Sequence, residues 1–191
     1  MMIPFLIFIS VMIIQRLLEL VIARRNEKWM KEQGAREFGL KHYQFIVLMH
    51  LLFFVVFIFE KISFFRELLP FWQLCAAVFV CAQLIRVWAI SSLGRFWNTK
   101  ILVLPNVEVV RRGPYRFIKH PNYLVVSIEL LVVPLMFGAY VTACLFTILN
   151  ILMLSIRIPA EEKALRELTE YESYLGSCNR FLPKLLNKYD N

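Results

Sequence analysis

Four stretches of nearly unbroken apolar sequence, 3–22, 43–59, 70–92 and 124–156, dictate what this chain can become. A helix needs about 20 mostly apolar residues to cross roughly 30 Å of hydrocarbon. Inside lipid every backbone N–H and C=O must be satisfied within the segment, which a helix achieves. The first three stretches each suit one crossing. The fourth is too long for one ordinary helix and is interrupted by Pro134 and Gly138, so it reads as a tight hairpin, 124–136 and then 139–156. Composition agrees: 59% of the 191 residues are hydrophobic, against about 45–50% in a soluble domain. The first stretch lacks the basic n-region and A-x-A site of a signal peptide and reads as a retained helix. The expected fold is an all-α integral membrane protein of five transmembrane helices, a single domain over 1–191.

The formal net charge of +8 has a side. Loop 23–42, loop 93–123 and the tail 157–191 hold 18 of the 22 Lys and Arg residues. The intervening connection 60–69 holds only Lys61 and Arg66, and two more, Arg16 and Arg86, lie within spans. Basic loops face the cytoplasm, which predicts an outside N-terminus, a cytoplasmic C-terminus and a prokaryotic cell-membrane setting. Membrane orientation thus accounts for the surplus, and no nucleic-acid partner is expected. The cysteines Cys75, Cys81, Cys144 and Cys178 form no CxxC or Cys/His ligand spacing, so neither a metal site nor a disulfide framework is expected. After the last span, 160–175 is rich in helix formers and predicts a C-terminal amphipathic helix ending at Gly176.

Charges within spans are costly and therefore informative. Arg16 and Glu19 are i, i+3 neighbours near one end of the first span. Arg86 and Glu129 lie on different spans and either pair to fix helix register or leave Arg86 facing a ligand. His50 stands alone on an apolar helix, as a hydrogen-bonded packing residue would.

Two polar clusters carry the chemical signal. Segment 93–123, LGRFWNTKILVLPNVEVVRRGPYRFIKHPNY, follows a span yet is dense in Trp, Tyr, Arg, His and Pro. Gly113-Pro114 marks a turn, and Pro121 pushes His120 toward an extended conformation. Such a segment can offer backbone groups and aromatic faces to a polar ligand at the membrane surface; equally, it can be a basic loop against lipid headgroups. The second cluster is Arg157-Ile158-Pro159-Ala160-Glu161-Glu162. Arg157 and Glu161 are i, i+4 on one helical face, and a bend at Pro159 would let them diverge toward different ligands.

In order, LGRFW, a GPYR turn, a basic residue before HPNY, a helical hairpin and R-x-x-x-E-E-x-x-L resemble the isoprenylcysteine carboxyl methyltransferase family. The resemblance runs over about 83–183, including Tyr171, Tyr174 and the closing RFLP. It implies a membrane O-methyltransferase using S-adenosylmethionine as cofactor, with a cytoplasmic cofactor-binding segment. Cofactor contacts would fall on Lys100, on Val107, Glu108, Val109 and Val110, on Tyr115, and on His120, Pro121, Asn122 and Tyr123. Glu161 would hold the cofactor's amino acid end, and Arg157 would face the substrate, the two forming the catalytic pair. Lys119 stands where relatives often carry arginine. Lys100 and Val107 occupy positions that other members fill with polar neutral or imidazole side chains, so the backbone contacts there transfer best.

The implied acceptor is a lipophilic small molecule or lipidated group with an acidic hydroxyl or carboxylate, such as an isoprenylcysteine or alkylpyrone lipid. An acceptor that is already anionic needs alignment more than a base, and the planar fork of Arg157 can supply it. Three alternatives stay open: a phospholipid N-methyltransferase, an NADPH-dependent sterol-type reductase of related fold, and a non-catalytic membrane scaffold.

Overall fold

A computed structural model describes residues 2–171 and 178–182. Among the described residues the long helices are α1 (Met2–Glu32), α2 (Leu40–Ser63), α3 (Trp72–Leu93), α4 (Pro121–Met136) and α5 (Tyr140–Leu168). Four of them, all but α4, are long and apolar enough to cross a membrane. With 16 residues, α4 is about 24 Å long at 1.5 Å per residue, short of a full crossing by length alone.

The apolar stretches mark the helices well but not their ends. α1 continues past the expected limit at Ile22 to Glu32, carrying Arg24, Arg25 and Lys28 on the helix rather than on a loop. α5 runs unbroken through Pro159 to Leu168, so 160–168 extends the last span instead of starting a separate helix. Proline withholds one backbone donor. The following turns are held nonetheless, because Ala160, Ala164, Leu165 and Leu168 pack on Ile101 and Val103. The last part of the expected amphipathic helix, 172–175, and its terminator Gly176 lie outside the described residues.

A two-stranded antiparallel ribbon was not legible in the sequence. β1 (Arg36–Phe38) follows α1, β2 (Ile101–Val103) follows α3, and Glu37 lies opposite Leu102. The ribbon ties together the ends of α1, α3 and α5. At the opposite end the α2–α3 connection meets the α4–α5 turn: Leu69 N–H donates to Met136 C=O at 3.1 Å. There Gly138 adopts φ 72°, and a Cβ on it would come within 2.6 Å of the Glu67 carbonyl. Glu60, at the end of α2, accepts from the Val141 and Thr142 amides at 3.1 and 2.7 Å. It thereby caps the N-terminus of α5, which has no side-chain cap of its own.

Between these ends the helices pack through aromatic rings and small residues, as bundles in lipid must. Phe5 meets Phe57 and Phe137 edge-on at 5.3 and 5.0 Å, and Phe53 meets Phe146 at 5.4 Å. Ala82 and Ala89, two turns apart on α3, are buried and let α4 approach.

The charges within spans find one another. Arg86 donates to Glu19 at 2.8 and 3.0 Å and to Glu129; Arg16 pairs with Glu19 at 2.7 Å and with Glu129. Gln15 and Gln83 close the network at 2.8 Å. Two arginines and two carboxylates cancel, and α1, α3 and α4 are locked in register. His50 hydrogen-bonds the Ile46 carbonyl one turn back, at 2.8 Å.

Candidate active site

The site forms where α4 begins, α5 ends and the 94–120 segment crosses them. That segment is fixed to α1. Asn26 donates to the Gly94 and Trp97 carbonyls at 3.1 and 2.7 Å, and Asn98 donates to the Ala23 carbonyl at 3.1 Å. Lys100 pairs with Glu27 at 2.7 Å and Glu37 at 3.0 Å. Further on, the GPYR turn is a short 3-10 helix, Gly113–Arg116, with Gly113 at φ 58°. A Cβ on Gly113 would fall 1.9 Å from Ser92 Oγ. Only glycine lets the turn lie against the end of α3.

His120 precedes α4 with φ −127° and ψ 61°, short of the extended region expected before a proline, because the chain is already turning into the helix at Pro121. Its amide donates to the Arg180 carbonyl at 3.2 Å. Its Nε2 lies 3.2 Å from Glu162 Oε1, and its ring stacks on Tyr123 at 5.3 Å. Arg180 grips the same Glu162 with two bonds, at 2.9 and 2.7 Å. Such fork-to-fork pairing fixes the carboxylate in one orientation.

The centre of the site is the Tyr123 hydroxyl. It donates to Glu161 and accepts from Arg157 Nε at 2.7 Å. Arg157 and Glu161 therefore converge on one oxygen instead of diverging, a correction to the expected bend at Pro159. The buried Arg157 also donates through Nη2 to the Thr99 carbonyl. Its third nitrogen, Nη1, is buried with no hydrogen-bond partner among the described residues, as is Asn122 Oδ1. Tyr115 is buried beside Glu161; burial, and then that carboxylate, push the phenol well above its ordinary value, keeping it a neutral hydroxyl.

The remaining predicted residues are more distant from this centre. Val107–Val110 has no regular structure, and among the described residues it forms no backbone hydrogen bond. Val109 packs toward Tyr171 and Cys178. The side chain of Lys100 is spent on Glu27 and Glu37, and only its neighbour Thr99 touches Arg157. Lys119 lies over the Tyr171 ring at 5.5 Å. Sequence reasoning missed Glu162, Arg180 and the Thr99 carbonyl as parts of the site. The first two sat inside the quoted E-E and RFLP motifs, while a main-chain oxygen leaves no side-chain signal.

Comparison with known proteins assigns the chain to a family. The model of the isoprenylcysteine carboxyl methyltransferase family matches residues 73–167, from the first turn of α3 to the last of α5. The chain belongs to that family. Membership makes it a membrane methyltransferase, and the matched span contains every site residue above except those on α1, Glu37 on β1, Tyr171, Cys178 and Arg180. A Bacillus subtilis (strain 168) relative, the uncharacterized protein YpbQ, is 50% identical over 163 residues, 85% of this chain and 97% of that protein. An uncharacterized protein of Haemophilus influenzae is 28% identical over 154 residues, 80% and 90% of the two chains.

Proposed function

We propose that this family member transfers a methyl group from S-adenosylmethionine to an acidic hydroxyl or carboxylate on a lipophilic acceptor. The observation that carries the proposal is Arg157. Two of its nitrogens are fixed, by Tyr123 and Thr99, and the third is buried and unpaired. A buried donor without a partner is costly; an anionic oxygen placed against it removes the cost. The cofactor supplies a methyl group made electrophilic by a sulfonium.

The residues present suit that cofactor. The unpaired backbone of Val107–Val110 and the orphan Asn122 Oδ1 are complementary to a polar ligand with many donors and acceptors. The face of Tyr115 suits a cationic sulfonium, whereas the Tyr123 ring is already covered by His120 and Arg157; Glu161 suits an amino group. Pro121 and His120 close the wall beside them, the ring of His120 held by Glu162. In this reading Lys100 and Glu108 contribute backbone, since the Lys100 side chain is engaged elsewhere and Glu108 is exposed. Alignment and exclusion of water then carry the reaction, and Arg157 orients the acceptor oxygen without removing a proton. The acceptor tail lies among the helices while the cofactor comes from the aqueous side. We place that side in the cytoplasm, with α4 as a fifth crossing, on the strength of the basic loops.

Calorimetry with purified protein in detergent tests the cofactor site. Replacing Tyr115 or His120 by Ala is expected to weaken S-adenosylmethionine binding, and unchanged affinity in both folded variants would refute this placement. The acceptor class is read by offering labelled S-adenosylmethionine with an alkylpyrone, a farnesylated cysteine or phosphatidylethanolamine. Methylation of only the last would favour N-methyl transfer.

A further inference from the structure

α1 lies outside the matched family segment, yet it carries a cleft of its own. Where α1 meets the 3-10 turn Gly94–Phe96, a cleft of about 310 Å³ is lined by Ile22, Arg25, Asn26, Trp29 and Arg95. Its shape is fixed, because Asn26 spends its carboxamide on the Gly94 and Trp97 carbonyls. Arg95 stacks over the Trp29 ring at 5.5 Å, and Trp29 is braced edge-on by Phe96 at 5.7 Å. Arg25 and Arg95 are exposed, and among the described residues neither has a carboxylate within ion-pair distance. The nearby Lys31 and Lys100, by contrast, are each paired with Glu27 and Glu37. Two guanidinium forks with no carboxylate partner among the described residues thus line a cleft with an aromatic floor.

The position of the cleft along α1 identifies its occupant. Ile14, Leu18 and Ile22 follow at four-residue spacing on one helical face and are 56%, 60% and 42% exposed. They form an apolar strip about 12 Å long that ends at the cleft, at the depth where Trp belongs in a membrane interface. We propose that this cleft binds the phosphate headgroup of an anionic phospholipid, with Arg25 and Arg95 on the phosphate and one acyl chain along Ile14, Leu18 and Ile22. Guanidinium forks match phosphate oxygens, and basic pockets beside transmembrane helices hold anionic headgroups. A free phosphate would use the arginines but leave the apolar strip without a role.

The test uses the full chain in nanodiscs of phosphatidylcholine containing phosphatidylglycerol, released into detergent for native mass spectrometry. Wild-type protein is expected to retain phosphatidylglycerol over phosphatidylcholine. The Arg25→Gln/Arg95→Gln variant is expected to lose that retention by about thirtyfold, as removal of two surface cations implies. An Arg24→Gln/Lys28→Gln variant removes the same charge from exposed positions outside the cleft and is expected to keep it. Equal loss in both variants, or no preference in the wild type, overturns the proposal. Displacement of the lipid by millimolar inorganic phosphate would overturn it too, in favour of a free-anion site. Circular dichroism confirms that each variant is folded, and the outcome is independent of the methyl acceptor.

Discussion

The Tyr123 hydroxyl binds a cation on one side and a carboxylate on the other, so the residues proposed to serve acceptor and cofactor share an oxygen. Arg157→Ala should then lower turnover at least tenfold, since a hydrogen bond to a charged group contributes about 1.5–3 kcal/mol and about 1.4 kcal/mol is one decade of rate. Cofactor affinity should change little. Arg157→Lys distinguishes an aligning fork from a membrane anchor: lysine reaches the interface equally well but cannot bond Tyr123 and Thr99 together. Near-normal turnover in that variant, measured with labelled cofactor and a lipid acceptor, would end the assignment. Glu161→Ala should weaken cofactor binding first. Helical periodicity was enough to put Arg157 and Glu161 on one face. It could not reveal their meeting point, because Tyr123 lies 34 residues from Arg157 along the chain. Glu162, next to Glu161 but turned toward His120 and Arg180, was hidden for the same reason.

Among the elements, the apolar lengths located all five helices, whereas their ends depended on contacts between distant segments. Pro159 did not stop α5, because the turns after it bury alanine and leucine against β2. Three-residue strands such as Arg36–Phe38 are too short to display a period, so the ribbon had no sequence signature. The GPYR turn, in contrast, was legible from Gly113-Pro114. Gly113→Ala is expected to displace the turn from α3, because its Cβ would overlap Ser92. Lower thermal stability together with weaker cofactor binding would register this, and an unaffected variant would contradict it. α1 reaches the site through the 94–100 segment, so Asn26→Ala should slow turnover by loosening the Thr99 carbonyl that holds Arg157. In an Arg157→Ala background the same substitution should cost nothing further; additive losses would show that Asn26 acts by another route.

At the scale of the molecule, charge organises the protein twice. In the bundle, Arg86 stands between Glu19 and Glu129, and removing it leaves Arg16 alone against two carboxylates, one buried charge short of balance. Arg86→Leu is expected to destabilise by about 3–5 kcal/mol, read as a lowered midpoint of unfolding in detergent. A variant as stable as the wild type would show that the network is dispensable. At the aqueous end, burial alone would raise the Glu37 carboxyl, but hydrogen bonds from Lys31 and Lys100 outweigh it and hold it below 4.5. The Lys100 ammonium is held above 10.5, first by its bond to Glu27. A depressed carboxyl stabilises the fold above its unfolded value and loses that contribution as pH falls through the folded one. A raised ammonium stabilises below 10.5 and loses its contribution as pH rises through the folded value. Amide protection factors in the ribbon, each corrected for the intrinsic exchange rate at that pH, should accordingly fall as the pH drops below 4.5 or rises above 10.5 and hold steady between.

The basic loops at one end of the bundle also predict sidedness. Cysteine labelling at positions 36 and 119 should report one side of the membrane and position 61 the other. Finding 61 with 119 would reverse the placement of the site in the cytoplasm. Calorimetry on the purified chain shows whether the residues around His120, Tyr123 and Glu161 hold S-adenosylmethionine, as proposed. Saturable binding of S-adenosylmethionine that His120→Ala weakens, with no binding of NADPH, is expected. Binding of NADPH without S-adenosylmethionine would contradict the proposal.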